Sequence, residues 1–314
     1  MSGFTLLLVL LSAITHAGWN LAGKKAGPSI GYFWLASLWG FVLGLPLILP
    51  FTWPLLLALT PPIWAWLLLS GLFQALYIWG LAEAYRRGEL STLYPLIRSS
   101  PLILLLLGSL LLGSAERISG GAVLGIVLIV GGCFFLPMQR FADLRLSHYL
   151  NAATCFALLA ATATAGYSLI DDLATRAMRE LPGLQLHDAW VALLYVVLQA
   201  GSAALWLGLA MLLPGLRRQW RHAPPPLGSS LFTGVMMLLT YALVVWAMAT
   251  ARDVSYVVAF RQISIPITVA LGICLLGERL NPPKVLGVAI VVVGLLLVVL
   301  NSPRTALAVG GENA

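Results

Sequence analysis

Stretches of about 20 apolar residues follow one another along the whole chain, each long enough at about 1.5 Å per residue to cross a hydrocarbon core about 30 Å thick. They predict ten membrane-spanning helices, at roughly 4–22, 30–49, 63–85, 92–112, 118–136, 149–170, 190–213, 229–250, 255–276 and 283–300. The connections are short and collect turn formers and charges, as at 24–28, 217–221 and the prolines of 224–226. They leave no room for a soluble domain. The first stretch has no basic residue ahead of it and runs on into further spans, so it is expected to stay on the mature chain rather than act as a signal peptide.

The pattern then repeats. Leu112-Gly113 through Glu116 near the end of the fourth span matches Leu276-Gly277-Glu278 near the end of the ninth, and in the same register Gly125 pairs with Gly287 and Gly132 with Gly294. A second anchor pairs Tyr77 with Tyr241, Glu89 with Asp253 and Ser91 with Ser255, and Arg98 then corresponds to Arg261. Gly18-Trp19-Asn20 matches Gly166-Tyr167-Ser168 more weakly. The expected fold is therefore all-α and polytopic, with ten transmembrane helices forming two five-helix repeats at 1–147 and 148–303. A small polar tail at 304–314 is expected to be disordered.

An odd number of spans per repeat inserts the second copy in the opposite sense. The loop charges follow: Lys24, Lys25, Arg86 and Arg87 lie in the first and third loops of the first repeat, whereas Arg217, Arg218, Arg221, Arg279 and Lys284 lie in the second and fourth loops of the other. Together with Arg140 and Arg145 they fall on one face, which the positive-inside rule makes cytoplasmic with both termini outside.

Composition narrows the class. Hydrophobic residues make up 60% of the chain and charged ones 9%, more apolar surface than a soluble core needs. The net charge of +7 would suggest nucleic acid in a soluble protein, but here the basic residues sit in loops facing headgroups, so the bilayer and not nucleic acid is the expected partner. Cys133, Cys155 and Cys274 fall inside spans without paired spacing, which implies lipid-facing or packing residues and neither a metal site nor a disulfide framework.

Polar groups inside a bilayer usually face the bundle interior, where they bind something or pair with each other. Arg98, between Pro95 and Pro101, and Arg261, shortly before Pro266, could each hold an anion in a bidentate fork or snorkel to the nearer interface. The prolines free a carbonyl one turn earlier, which suits a cavity-lining helix or a packing kink. On the first span His16 and Asn20 share a face beside Trp19; the imidazole could carry a coupling proton and the amide could bind a substrate carboxylate or amine, or the pair could bond between helices. Gln74 and Tyr77 share a face on the third span, with Glu83 nearer the basic loop as a second proton-coupling candidate. Tyr167 and Ser168 on the sixth and Tyr241 on the eighth hold corresponding places, and Tyr77 and Tyr241 lie deep enough to line a pocket. Asp171 and Asp172, without a second acidic cluster to complete a metal site, are expected to be a solvated helix end. Two glycines seven apart on the fifth span, and two on the tenth, mark faces for close helix packing.

The residues His16-Ala17-Gly18-Trp19-Asn20 with Lys24, Tyr94-Pro95, and the Gly-Glu exits of the fourth and ninth spans resemble the drug/metabolite transporter superfamily, specifically its EamA-type ten-helix carriers. The likeness runs from about residue 4 to 300. It implies two inverted five-helix repeats around a central cavity lined chiefly by the first, third, fourth, sixth, eighth and ninth spans. With the arginines, it leads to the expectation of a secondary transporter in the inner (plasma) membrane that moves a small anionic or zwitterionic metabolite by alternating access. Such a carrier has a small-molecule substrate and is expected to be a monomer or homodimer without a cofactor. The alternative is an intramembrane enzyme acting on a lipid-linked substrate, but no aspartate-rich pair, zinc-binding His-Glu motif or Gly-x-Ser-x-Gly stretch is present to serve it.

Overall fold

The computed structural model describes residues 3–26, 29–87, 101–104, 119–136, 138, 140–141, 152–184, 186–222, 225–251, 254–276 and 280–301. These residues are helical apart from short connections. The helices are α1 (Gly3–Ala26), α2 (Ile30–Ala58), α3 (Pro61–Arg87), α4 (Gly120–Phe135), α5 (Ala152–Arg179), α6 (Asp188–Ala210), α7 (Pro214–His222), α8 (Leu227–Ala249), α9 (Val254–Phe260), α10 (Ser264–Leu276) and α11 (Pro282–Leu300), with a 3-10 turn at Arg261–Ile263 between α9 and α10. Among the described residues six helices, α2, α3, α5, α6, α8 and α11, are long and apolar enough to cross a membrane, and shorter apolar helices lie in α1, in α4 and across the 3-10 turn. The fourth predicted span falls mostly outside the described residues, as do the Gly-Glu exits and the tail at 304–314.

Three departures from the expected elements have local causes. α2 runs to Ala58 rather than stopping near Leu49, carrying Pro46, Pro50 and Pro54 inside it. Prolines four apart share one face, and all three are exposed, while Gly44, Ile48, Thr52 and Leu55 turn inward. The missing N–H groups therefore lie away from the packed side, and the helix is not broken there. The charged stretch at 217–221 is a short helix, α7, whose Trp220 packs edge-on against Trp34 of α2 at 5.2 Å between centroids. α5 continues past Ile170 to Arg179, which places both aspartates inside the helix.

The surface is the reverse of a water-soluble one. Leu47 and Leu300 are 73% and 78% exposed, while Thr5, Ser70, Asp171 and Thr233 are wholly buried. Exposed leucines suit a hydrocarbon solvent, and the polar groups satisfy one another between helices. Thus Ser12 Oγ donates to Thr240 O at 2.9 Å, Tyr32 OH bonds Thr233 Oγ1 at 2.7 Å, and Trp34 Nε1 donates to Ala204 O at 3.1 Å. Of the cysteines, Cys133 is buried and Cys155 and Cys274 are exposed.

The main pairings are α1 with α8, α2 with α6, α3 with α5, and α4 with α11. The last is a glycine seam. A Cβ on Gly125 would lie 2.7 Å from the carbonyl oxygen of Gly294, and one on Gly132 would lie 2.8 Å from that of Gly287, so the backbones touch at both turns. The expectation of close packing at these four glycines holds because nothing larger fits.

Gly132→Val should lower the thermal unfolding midpoint of detergent-solubilised protein, by an overpacking cost of about 1–3 kcal/mol. Gly131→Ala, whose added Cβ meets nothing within 4 Å, should leave that midpoint nearly unchanged.

Candidate functional site

α3, α5 and α8 each carry a tyrosine pointing toward the next helix, and the three form a row. The rings of Tyr77 and Tyr167 meet edge to face at 6.1 Å, and those of Tyr167 and Tyr241 at 5.7 Å. Arg261 closes the row, its Cζ 5.6 Å from the centroid of Tyr241. Its position follows from the chain: Pro266 has no N–H to bond back to Gln262, and the helix tightens into the 3-10 turn that begins at Arg261. A guanidinium over an aromatic face gains about 0.5–2 kcal/mol and keeps its N–H edge for other partners.

A second wing lies on α1 and α3. His16 and Trp19 meet edge-on at 4.8 Å, and Trp19 packs with Phe33, Ala75 and Ile78 in a cluster that Tyr77 also borders. Among the described residues, Trp19 Nε1 and Gln74 Oε1 are buried without a hydrogen-bond partner. Buried polar atoms are ordinarily hydrogen-bonded, so these two are the ones here with bonding capacity to spare. Glu83 is buried further along α3, and Ser168 is fully buried with its hydroxyl donating to Thr164 O at 2.8 Å. Asn20 belongs to α1 with its side chain outside the described residues, where Arg98 also lies.

Asp171 does not belong to a solvated helix end. It is completely buried, and its carboxylate gathers side chains from three other helices. Ser70 of α3 and Tyr241 of α8 each donate a short hydrogen bond, to Oδ1 and Oδ2. From α6, Tyr195 OH donates to Oδ1 at 2.5 Å, and Gln199 Nε2 donates to Ser70 Oγ at 2.6 Å and to the two carboxylate oxygens at 3.1 and 3.0 Å. Successive helical residues point about 100° apart, so its neighbour Asp172 turns away from this cluster; largely buried itself, it pairs with the more exposed Arg176 at 2.9 Å.

Of the residues around Asp171, Tyr241 was singled out from sequence and Ser70, Tyr195 and Gln199 were not, yet these three lie on readable stripes. Ser70, Gln74 and Tyr77 recur at i, i+4 and i+7 on α3; Thr164, Tyr167, Ser168, Asp171 and Thr175 line one side of α5; Tyr195 and Gln199 are i and i+4 on α6. Tyr241 joins the two constellations, with its ring under Arg261 and its hydroxyl on Asp171.

Residues 3–138 match the EamA-like transporter family. Over the whole chain a solved crystal structure superposes with a TM-score of 0.68 at 18% identity, covering 96% of this chain and 99% of that one. At that identity the likeness concerns the fold. No curated protein sequence matches the chain. The family likeness thus covers the first part of the chain, and the structural likeness extends the same fold over nearly all of it.

Asp171→Ala should destabilise the detergent-solubilised protein by about 3 kcal/mol or more, because the donors around it lose their shared acceptor. Asp172→Ala, which breaks a partly exposed i,i+4 pair, should cost about 1 kcal/mol or less. Parallel thermal melts followed by circular dichroism compare the two.

Proposed function

We propose that this chain, a member of the drug/metabolite transporter superfamily through its EamA-like residues 3–138, is a secondary carrier of a small anionic or zwitterionic metabolite. Amino acid-like solutes, organic acids and phosphonates are the candidate substrates, carried across the inner (plasma) membrane by alternating access. The observation that carries this reading is the row from Tyr77 to Arg261. It lies between helices drawn from both parts of the chain and ends in a guanidinium, so it offers an apolar wall to a carbon skeleton and a fork to a carboxylate or phosphonate.

Trp19 and Gln74, with unmet polar atoms, are proposed to hold the solute's other polar groups, beside Asn20, Ser168 and Arg98. Arg98 is the counterpart of Arg261 in the sequence repeat and is retained in the proposal on that ground.

The halves at 1–147 and 148–303 are proposed to be inverted repeats, and the packing supports this. An axis in the membrane plane that exchanges the halves turns a contact between the first helix of one and the third of the other into its reciprocal. α1 pairs with α8, and α3 pairs with α5, as that exchange requires. The second helices, α2 and α6, and the fifth, α4 and α11, pair with each other, which the same axis maps onto themselves. In the last pair Gly125 meets Gly294 and Gly132 meets Gly287, an antiparallel crossing. Carriers built this way rock one half against the other around a site near the midplane.

Purified protein in liposomes, tested for counterflow of labelled phenylalanine, glutamate, malate and methylphosphonate, should move at least one of them saturably. Arg261→Ala should raise the KM for that solute about tenfold or more, in line with the loss of a charge-assisted hydrogen bond, and Arg261→Lys should recover only part of it. Well-inserted protein that moves none of the four would overturn the reading and return the lipid-linked enzyme to consideration.

A further inference from the structure

We infer that Asp171 is a proton-binding site: its carboxylate takes a proton from water on one side of the membrane and returns it to water on the other as the two halves part and re-engage. The inference rests on the carrier reading above and adds what drives it.

The hydrogen bonds assign the two protonation states to two arrangements of the helices. In the arrangement described here every side chain around the carboxylate donates to it: Ser70 from α3, Tyr195 and Gln199 from α6, and Tyr241 from α8. An ionised carboxylate is acceptor only, so this set suits the charged form. Among the described residues no cation bonds to it, since Arg176 is taken by Asp172 and Arg179 approaches Asp188. On its own helix Tyr167 lies one turn before it on the same face while Asp172 is turned away, and on α9 Tyr256 accepts the Ser119 N–H at 3.0 Å. Arg261 stands beyond the Tyr241 ring.

Ser70 is the one member of this set from the first half of the chain, and it also accepts from Gln199. Parting α3 from α5 takes that donor away and leaves a charged group short of a hydrogen bond in a water-poor bundle, which is costly. A proton on Asp171 removes the charge and supplies an O–H donor of its own. The engaged arrangement therefore goes with the ionised carboxylate and the parted one with the protonated carboxyl, so a pH gradient biases the rocking. Tyr241 ties this to the solute. When the carboxyl is protonated, the phenol that donates to Asp171 can accept from it instead, and the ring of that phenol carries Arg261.

Two measurements on the reconstituted protein test this. In pH-induced infrared difference spectra, a carboxyl C=O stretch should appear on acidification and be absent in Asp171→Asn. In Ser70→Ala, which keeps the carboxyl and removes a donor used only in the engaged arrangement, the band should persist. With the four labelled solutes named above, Asp171→Asn should lose pH-driven accumulation by a factor about tenfold or more beyond any loss of exchange, the size of an ordinary coupling between sites. An unchanged band in Asp171→Asn, no titrating band in the wild type, or accumulation that follows a Na⁺ gradient and ignores pH each overturns the proton site. A titrating band that Asp171→Asn abolishes, in protein that moves no solute, removes the carrier reading while the proton site stands.

Discussion

A carboxylate between helices inside a bilayer must collect its hydrogen bonds from the protein, and much of this molecule's interior is organised by that requirement. Asp171 draws one or more donors from each of α3, α6 and α8, and those helices pack closely enough to supply them. Because the solvent outside is apolar, burial of hydrocarbon gives little reason for one helix to prefer another. Specific polar contacts and close backbone approach take over that role. The first is concentrated at Asp171 and the second at the glycine seam of α4 and α11.

These two devices differ in what they permit. At the seam, carbonyl oxygens lie against glycine Cα atoms with no side chain between them, so the contact is set by shape and does not change with charge. At Asp171 the contact is made of exchangeable donors on rotatable side chains, one of them from the first half of the chain. The aromatic row shares Tyr241 with that cluster, so the guanidinium of Arg261 and the place where the helices are fastened are one phenol apart.

Much of this was legible in the sequence. The hydropathy pattern located most of the described helices to within a few residues, because apolar runs of spanning length have few other uses in a chain with so little charge. Tyr77, Tyr167, Tyr241 and Arg261 were picked as intramembrane polar residues, and they lie in one row. Asp171 was hidden by its neighbour. An aspartate pair after an apolar run has the look of a helix emerging into water, but the helix continues to Arg179 and Asp172, largely buried, meets Arg176 one turn on. Only the 3.6-residue period, carried beyond Ile170, separates the two and sets Asp171 on the side of Tyr167, Ser168 and Thr175. Ser70, Tyr195 and Gln199 were passed over because a lone polar residue in an apolar span has no partner until the helices are placed side by side. The prolines of α2 misled in the other direction: their common outward face, which keeps the helix intact, depends on which side is packed.

The 3-10 turn at Arg261–Ile263 bears on hydration. Gln262 Oε1 and Ser264 Oγ lie in and beside it, both buried and both without a hydrogen-bond partner among the described residues. Other unanswered side-chain atoms, such as Trp19 Nε1 and Gln74 Oε1, lie on regular helices. At this turn the backbone has left its regular ladder, two side-chain oxygens are left unanswered, and a guanidinium stands alongside. The interruption of the helix thus gathers unmet oxygens beside a charged group, and a water molecule entering the bundle there would find hydrogen-bond partners waiting for it.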